Sequence, residues 1–345
     1  MDNTISLCPT CYKEIPAELF VQDGQLWMRK TCPVHGETEA LCERNAAFWY
    51  SSHQKFTDDE RLKIYNSTTI IESTDRCNLN CKQCYHEPNN KLVDKPAEYI
   101  IAKALSVSTP IVSLMGAEPT VREDLPYILS QIRINGKYPS IYTNGIKISD
   151  REYLESLMRA GLHSLSVSVH TADYHNEKIY NKVIQGLMNA VELKQKMAQI
   201  SFTVTNLENE LKNAIETILK LRYSGVKPLN FCIRTPAEIG KDFDGDKEIF
   251  ASDMYLAIKK IANGYKLPMN IINHANNPYH VAISLNGADI LLIHWPTVKN
   301  IDIKYMAMGP YAAFVDGLSS SFCHNVIIRE GIKKGWFNGM RLSEK

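Results

Sequence analysis

The chain lacks a long apolar run, an apolar leader at its start and an excess of charge of either sign. Its 345 residues include 39 basic and 38 acidic ones, so charge gives no reason to expect a nucleic acid or an acidic membrane surface as a partner. No stretch reaches the ~18 uninterrupted apolar residues of a membrane-spanning helix, and the first residues lack the basic start and apolar core of a secretory signal. We therefore expect a cytoplasmic protein.

Cysteine is scarce beyond the first quarter of the chain. Seven of the nine cysteines lie between Cys8 and Cys84, and only Cys232 and Cys323 follow. At such short spacings, and in a chain expected to stay in a reducing compartment, cysteines favour metal ligation over disulfides. Two isolated cysteines cannot ligate an iron-sulfur cluster, so the chain after Cys84 offers no ligand set for one.

Three of the early cysteines share one short stretch of sequence. A Cys-x3-Cys-x2-Cys spacing joins Cys77, Cys81 and Cys84. Three thiolates on one short loop can ligate three irons of a [4Fe-4S] cluster and leave the fourth iron without a protein ligand. The alternative is a zinc site completed by His86, although zinc sites favour four ligands in two pairs.

The first 52 residues carry the other four early cysteines and little apolar sequence for a core. Cys8-Pro9-Thr10-Cys11 and Cys32-Pro33-Val34-His35 form two ligand pairs on either side of a hairpin that turns at Asp23-Gly24. This pattern is typical of a zinc-ribbon or rubredoxin-like site for zinc or iron, with a structural or docking role because four protein ligands leave no open position. The fourth ligand is His35 or Cys42, and the spacing favours His35.

From about Thr68 the pattern changes to short β-branched runs separated by longer amphipathic stretches. The six runs are 69–71, 111–115, 140–143, 164–169, 200–204 and 229–233. Such alternation predicts parallel βα units, and six units fit a partial (β/α)6 barrel better than the eight of a complete one. We therefore predict an α/β fold with a metal-binding unit at 1–52, a partial barrel at 66–240 and a carboxy-terminal α+β extension at 241–345. That extension, with a hairpin at Asn286-Gly287, is expected to cover the substrate or dock a partner.

Residues 68 to about 240 resemble the radical S-adenosylmethionine (radical SAM) superfamily. The resemblance rests on the spacing of Cys77, Cys81 and Cys84 directly after the first predicted strand, and on the aromatic Tyr85 that follows. It implies that the amino and carboxylate groups of SAM chelate the free iron. It also implies that one electron cleaves the sulfonium to a 5′-deoxyadenosyl radical, which takes a hydrogen atom from a substrate. A one-electron reductant such as a flavodoxin or ferredoxin is the implied partner.

The resemblance also implies which residues contact SAM. Gly116-Ala117-Glu118-Pro119 resembles a Gly-Gly-Glu-Pro loop that holds the methionine ammonium, with alanine here in place of the second glycine. On the fourth predicted strand, Ser164, Ser166, Ser168 and His170 share one face, and a polar stripe on a buried parallel strand indicates an interior that holds a polar ligand. The implied cofactor-binding residues are Tyr85, Gly116, Glu118, Asn144, Ser168, His170 and Arg234.

Three of these residues have a second interpretation. Asn144 ends the third predicted strand, where asparagine also favours turns for local reasons. A lone histidine such as His170 is about as often a hydrogen-bonded structural residue. Arg234 can pair with a carboxylate of the cofactor or of the substrate.

The amino-terminal cysteine pattern is similar to the radical SAM subgroup that includes the tetraether lipid synthase and the dihydropterin methylase-like proteins. Enzymes of that subgroup form or modify carbon–carbon bonds at unactivated carbons. The expected function is hydrogen abstraction from an unknown substrate. The alternatives are a radical SAM methyltransferase or carbon–carbon bond-forming enzyme, and a non-catalytic iron-sulfur or zinc protein. The substrate does not follow from the sequence.

Overall fold

Two β-sheets organise the chain. The computed structural model describes residues 2–11, 13–52, 68–81, 88–169, 176–235, 249–272 and 281–293. Within these ranges, one sheet has four strands and lies in the amino-terminal part, and the other has nine strands and takes in all later strands. The predicted α/β class is therefore confirmed. None of the described helices is long and apolar enough to cross a lipid bilayer.

The amino-terminal sheet is antiparallel, with its strands in chain order. They are β1 (Asp2–Leu7), β2 (Glu14–Gln22), β3 (Gln25–Cys32) and β4 (Gly36–Glu43), followed by the short helix α1 (Ala46–Ser52). The predicted hairpin is confirmed, because Asp23 and Gly24 join β2 to β3 with φ of 49° and 76°, as a two-residue turn between twisted strands requires. The sheet encloses only a small apolar cluster, so a bound metal is a suitable second source of stability.

Six parallel strands form the barrel wall. They are β5 (Thr68–Thr74), β6 (Ile111–Gly116), β7 (Tyr138–Thr143), β8 (Ser164–Val169), β9 (Met197–Thr203) and β10 (Asn230–Arg234). They lie side by side in chain order, as the sequence predicts. The intervening helices are α2 (Ala97–Ser106), α3 (Leu125–Ile134), α4 (Arg151–Arg159), α5 (Glu177–Glu192) and α6 (Asn209–Tyr223). Because all six strands run the same way, the loops that follow them lie at one edge of the sheet.

The two faces of β8 separate apolar from polar side chains as predicted. Its apolar side chains are at most 1% exposed and belong to the main core: Leu165, Val167 and Val169. Its serines face the other way, into the barrel, where Ser164 Oγ lies 2.7 Å from Ser140 Oγ and Ser168 Oγ lies 3.3 Å from Ser201 Oγ. Hydroxyl pairs across neighbouring strands satisfy these groups without water, so the barrel wall is polar at little cost in stability.

The carboxy-terminal strands extend the barrel sheet. Helix α7 (Ala251–Gly264) packs into the main core, and β11 (Met269–Ile272), β12 (Val281–Leu285) and β13 (Ala288–Ile293) follow it. The predicted hairpin at Asn286-Gly287 joins β12 to β13, and β13 pairs in parallel with β10. The described part of 241–345 therefore continues the barrel wall beyond the six predicted strands. The covering or docking role predicted for this segment stays a prediction, and residues 294–345 lie outside the described ranges.

The amino-terminal unit docks on the first turn of α7. The Glu43 carboxylate is 1% exposed and accepts a hydrogen bond from the backbone N–H of Ser252 at 3.3 Å, as well as one from its hydroxyl. Arg44 pairs with Asp253 at 2.7 Å. Negative charge at a helix N-terminus is favourable because the N–H groups there lack partners. The end of β4 thus serves as an anchor between the two sheets.

Candidate cluster site and metal centre

Four amino-terminal side chains converge on one point. Ligand atoms of Cys8, Cys11, Cys32 and His35 all lie within 4.8 Å of one another. Burial acts to raise the pKa of the Cys32 thiol, but N–H groups of Val34 and His35 lower that pKa to about 6. Three sulfurs and one imidazole at this separation fit a tetrahedral zinc site, since thiolate is the ligand form.

The structure separates the two candidates for the fourth ligand. His35 Nδ1 lies 3.6 Å from Cys8 Sγ and 3.5 Å from Cys32 Sγ. The Cys42 thiol is buried in the apolar cluster of the amino-terminal sheet and donates to the carbonyl of Ala40 at 3.8 Å. Among the described residues, the seven cysteines form no disulfide.

His35→Ala is expected to lower the metal content of this unit from about one ion per chain to near zero, because a closed structural site needs all four ligands. Cys42→Ala is the matched control. It should retain the metal and lose about 1 kcal/mol of stability through the small cavity it leaves. Elemental analysis of protein purified without iron reconstitution, with a thermal melt, measures both. Metal loss in the Cys42 variant alone would reverse the assignment.

The loop after β5 carries the three-cysteine motif. Cys77 and Cys81 are partly exposed, whereas Cys84 and Tyr85 lie outside the described residues. The backbone N–H of Cys77 donates to Asn90 Oδ1 at 3.0 Å, and its Sγ accepts a hydrogen bond from the N–H of Leu79 at 3.3 Å. These contacts hold the first thiol in place at the carboxyl end of the barrel strands.

A partly buried ion network that the sequence did not reveal supports this loop. The Asp94 carboxylate accepts hydrogen bonds from Thr74 Oγ1 at 2.5 Å and from Arg76 Nε at 3.1 Å. Burial acts to raise the pKa of Asp94, but Arg76 and Thr74 lower it below its usual value. Arg122 is 2% exposed and donates to the Ser73 carbonyl at 2.7 Å. No periodicity marks these residues, because their partners come from distant segments.

The glycine-containing loop after β6 lies directly against the end of β5. The Ala117 N–H donates to the Thr74 carbonyl at 2.9 Å, and the Glu118 N–H donates to the Arg76 carbonyl at 3.0 Å. Gly116 has φ +140°, and a Cβ on it would lie 2.3 Å from the Thr74 oxygen. Ala117 does not have a positive φ, so only the first position of this loop requires glycine.

Glu118 is directed into the protein. Its side chain is 1% exposed, and its Oε1 accepts from Thr120 Oγ1 at 2.6 Å and from Thr143 Oγ1 at 2.7 Å. Its Oε2 accepts from the N–H of Asn144 at 2.7 Å. Burial raises the pKa of Glu118, and these hydrogen bonds offset part of that rise. Since the carboxylate already has protein donors, the described contacts make it a brace between the loops after β6 and β7. Its predicted contact with the methionine ammonium stays a prediction.

Asn144 and Arg234 reach the same edge of the sheet. Asn144 Nδ2 lies 2.7 Å from Asn78 Oδ1, on the cluster loop. Arg234 ends β10, and its Nε is buried without a hydrogen-bond partner among the described residues. It lies near Tyr142. Burial raises the pKa of the Tyr142 phenol above its usual value, and the arginine charge offsets part of that rise. His170 lies outside the described residues.

The inner face of the wall is polar on β8 and β9 but apolar beyond β10, where Cys232 packs with Leu291 and Ile293 of β13. Cys232 is fully buried, and burial raises the pKa of its thiol to about 11. Its Sγ contacts Gln199 Nε2 and donates to Asn230 Oδ1 at 3.4 Å. Cys232 is therefore a small buried side chain rather than a ligand, since a protonated thiol is a poor metal ligand.

The donor set fits an iron-sulfur cluster. Cys77 and Cys81 lie on a loop at the carboxyl edge and form no disulfide among the described residues. The backbone N–H of Leu79 donates to the sulfur of Cys77, and polar side chains of the barrel wall lie behind. Thiolates are the ligands that such clusters take, and N–H donors to the sulfurs are usual around them. Only the sequence spacing indicates Cys84 as the third ligand, because this residue lies outside the described ranges.

Two family models match the chain. One, described as the HMPTM N-terminal zinc ribbon domain, matches residues 1–44, and the other, described as the Radical SAM superfamily, matches residues 71–232. The two matched segments coincide with the amino-terminal sheet and with most of the barrel wall.

Several known proteins are similar to this chain. The 7,8-dihydro-6-hydroxymethylpterin dimethyltransferase of Methanocaldococcus jannaschii is 33% identical over 225 residues, which is 57% of this chain and 43% of that protein. The Fe-coproporphyrin III synthase of Methanosarcina barkeri is 27% identical over 61% of this chain and 56% of that protein. This chain thus spans about half the length of both relatives. Among solved structures, Streptococcus suis SuiB aligns with 81% of this chain and 71% of its own, at TM-score 0.47 and 14% identity.

Proposed function

We propose that this chain, with a radical SAM domain at residues 71–232 behind an amino-terminal zinc ribbon at residues 1–44, is an enzyme that cleaves SAM reductively. The cleavage would take place at a [4Fe-4S] cluster held by Cys77, Cys81 and Cys84. When bound, the cluster supplies one electron to the sulfonium of SAM, which gives methionine and a 5′-deoxyadenosyl radical for hydrogen abstraction. The observation that carries the proposal is the position of Cys77 on a loop that packs against the Gly116 loop, at the carboxyl edge of a parallel sheet.

The described residues would bind and shield the reactants at that edge. The loops after β5 and β6 are joined by two backbone hydrogen bonds, from Ala117 to Thr74 and from Glu118 to Arg76. This fixes the backbone that faces SAM before it binds, which lowers the entropic cost of ordering the site. Glu118 would act as a brace, and Ser168 and Arg234, which lie on the inner wall, would be polar contacts for SAM or substrate. Arg234 is suited to a carboxylate because its buried Nε has no hydrogen-bond partner among the described residues.

The polar part of the inner wall, on β7, β8 and β9, favours a small polar substrate. Serines of neighbouring strands line the wall, and Tyr142 and Gln199 add hydrogen-bonding groups near its middle. An apolar substrate would offer these side chains no hydrogen bonds, whereas a polar one can pair with them. The amide and hydroxyl groups suit a heterocycle that carries both donors and acceptors.

Radical methyl transfer is the second candidate. The specific support is the match of the amino-terminal unit to the HMPTM zinc ribbon, together with 33% identity to a dihydropterin dimethyltransferase. A pterin is a polar heterocycle of the kind the barrel wall would accept. In this reaction SAM would be consumed both as the radical source and as the methyl donor.

The proposed function predicts that protein reconstituted anaerobically with iron and sulfide releases 5′-deoxyadenosine and methionine when given SAM and dithionite. Both products are quantified by liquid chromatography with mass detection. Protein that carries about four irons per chain and forms neither product would contradict the proposal.

A second assay separates the two reactions. With methyl-deuterated SAM and 7,8-dihydro-6-hydroxymethylpterin, methyl transfer adds deuterium to the pterin. Deuterium from the SAM methyl group has no route into the product of simple hydrogen abstraction, so an unlabelled product supports the first candidate.

A further inference from the structure

The Asn144 side chain is held in one orientation against the cluster loop. Its Oδ1 accepts a hydrogen bond from the N–H of Ile146 at 3.1 Å, so the amide cannot be turned round without losing that bond. Its Nδ2 then points at the loop after β5, 2.7 Å from Asn78 Oδ1 and 3.9 Å from Cys77 Sγ. An amide nitrogen carries two hydrogens, so one can serve each acceptor.

The backbone of Asn144 is fixed from the other side. Its N–H donates to Glu118 Oε2 at 2.7 Å, and the Gly145 N–H donates to Thr143 Oγ1 at 3.1 Å. Glu118 is itself buried and hydrogen-bonded to Thr120 and Thr143. Asn144 therefore connects the glycine-containing loop after β6 to Cys77, the first cysteine of the motif. A residue fixed at both ends holds its donor in place before a ligand arrives.

Local turn chemistry accounts for only half of these contacts. An asparagine that merely shapes a turn uses its Oδ1 as an acceptor, as the bond to Ile146 shows. Asn206, which follows β9, is such a residue: its Oδ1 accepts from the N–H groups of Asn209 and Glu210 at 3.0 and 3.1 Å and starts α6. The contacts of Asn144 differ because its Nδ2 also donates across to the cluster loop, at Asn78 Oδ1 and Cys77 Sγ.

We propose that Asn144 is a positioning residue for Cys77. The Asn144 side-chain amide donates an N–H to the Cys77 thiolate and so raises the reduction potential of the bound cluster. N–H donors to cluster sulfurs favour the reduced state, because that state places more negative charge on the sulfurs. The Leu79 N–H, 3.3 Å from the same sulfur, is a backbone donor that substitutions other than proline leave in place, whereas the Asn144 donor belongs to a side chain and can be removed. This role rests on the proposed function, since it needs a cluster at Cys77.

The test compares Asn144→Ala, Asn144→Asp and the control Asn206→Ala in the reconstituted full chain. Iron content, the midpoint potential from an EPR-monitored redox titration without SAM, and SAM affinity by calorimetry are measured for each. Asn144→Asp keeps the acceptor for Ile146 but replaces the donor by a negative charge, so its potential should fall furthest. Asn144→Ala should also have a lowered potential, and Asn206→Ala should match the wild type.

Stability should rank the variants in the other order. Asn144→Ala loses the bond to Ile146 and should melt at a lower temperature than Asn144→Asp. A residue that only shapes the turn would move the melting temperature and leave the potential unchanged. With a flavodoxin as reductant, 5′-deoxyadenosine formation should fall by roughly 10-fold or more in both Asn144 variants, and excess dithionite should restore much of it.

The outcomes separate the two proposals. An unchanged potential in Asn144 variants that hold about four irons overturns the positioning role, and weaker SAM binding with that same potential assigns Asn144 to the cofactor instead. Should an Asn144 variant fail to retain iron while Asn206→Ala retains it, Asn78→Ala replaces it. Asn78→Ala removes the second acceptor of the Asn144 amide and leaves that amide to Cys77. The proposal then requires a midpoint potential of the cluster that differs from the wild-type value. Wild-type protein that holds a cluster and cleaves no SAM contradicts the proposed function, whatever the Asn144 variants show.

Discussion

Replacing Cys77 with alanine is expected to remove the iron-sulfur cluster and, with it, all reductive cleavage of SAM. Two protein thiolates cannot hold a cubane that needs three, so iron should fall from about four per chain to below about one. Among the described residues Cys77 forms no disulfide, and its sulfur stands beside two N–H donors, from Leu79 and Asn144. No neighbouring cysteine among the described residues is placed to substitute for it.

The measurement is iron and sulfide content after anaerobic reconstitution, with the visible spectrum and the yield of 5′-deoxyadenosine. Cys232→Ala is the control, because that thiol is fully buried in the barrel and its pKa is raised to about 11. It should keep its iron. A Cys77→Ala protein that retains a full cluster and forms 5′-deoxyadenosine at the wild-type rate would show that the motif is not the ligand set.

Gly116→Ala is expected to disrupt the junction between the cluster loop and the barrel. The added Cβ would lie 2.3 Å from the Thr74 carbonyl oxygen and 3.0 Å from its nitrogen, at a backbone φ of +140°. Overpacking and backbone strain each cost about 1–3 kcal/mol. We expect a loss of roughly 3 kcal/mol or more in the free energy of unfolding. The bonds from Ala117 to Thr74 and from Glu118 to Arg76 should break, so cluster incorporation should fall as well.

Gly136→Ala separates the two causes. Gly136 has φ +84°, and a Cβ added to it would have nothing within 4 Å. Gly136→Ala therefore introduces the backbone strain without the close contact, and it should lower the free energy of unfolding by only about 1 kcal/mol. Chemical denaturation of both variants measures the difference. Equal losses would mean that the approach of Thr74 to Gly116 does not matter to the fold.

Local sequence chemistry predicted the elements of this fold closely. The six barrel strands, the turns at Asp23-Gly24 and Asn286-Gly287, and the polar face of β8 all follow from two-residue periodicity and turn residues. The amino-terminal ligand pairs were visible because each pair lies within four residues of sequence. Each of these features depends on neighbours along the chain, which is why pattern alone suffices for them.

Contacts between distant segments were not predictable in the same way. Nothing in the residues around Glu118 indicates that Thr143 and Asn144 would take up its carboxylate, and nothing around Asp94 indicates Arg76. The extension of the barrel by β13 was missed for the same reason, because the pairing of β13 with β10 depends on how the hairpin is placed.

The sequence by itself determined the chemistry available to this protein: three thiols at cluster spacing, four ligands for a second metal, and a parallel α/β frame that places its loops at one edge. Tertiary structure decided how that chemistry is supported. It placed His35, and not Cys42, beside the three amino-terminal sulfurs, turned Glu118 inward as a brace, and brought the Asn144 amide to Cys77. The physical reason is that thiol spacing and strand periodicity are local properties, whereas which donor reaches which acceptor depends on how closely separate loops approach when the barrel packs.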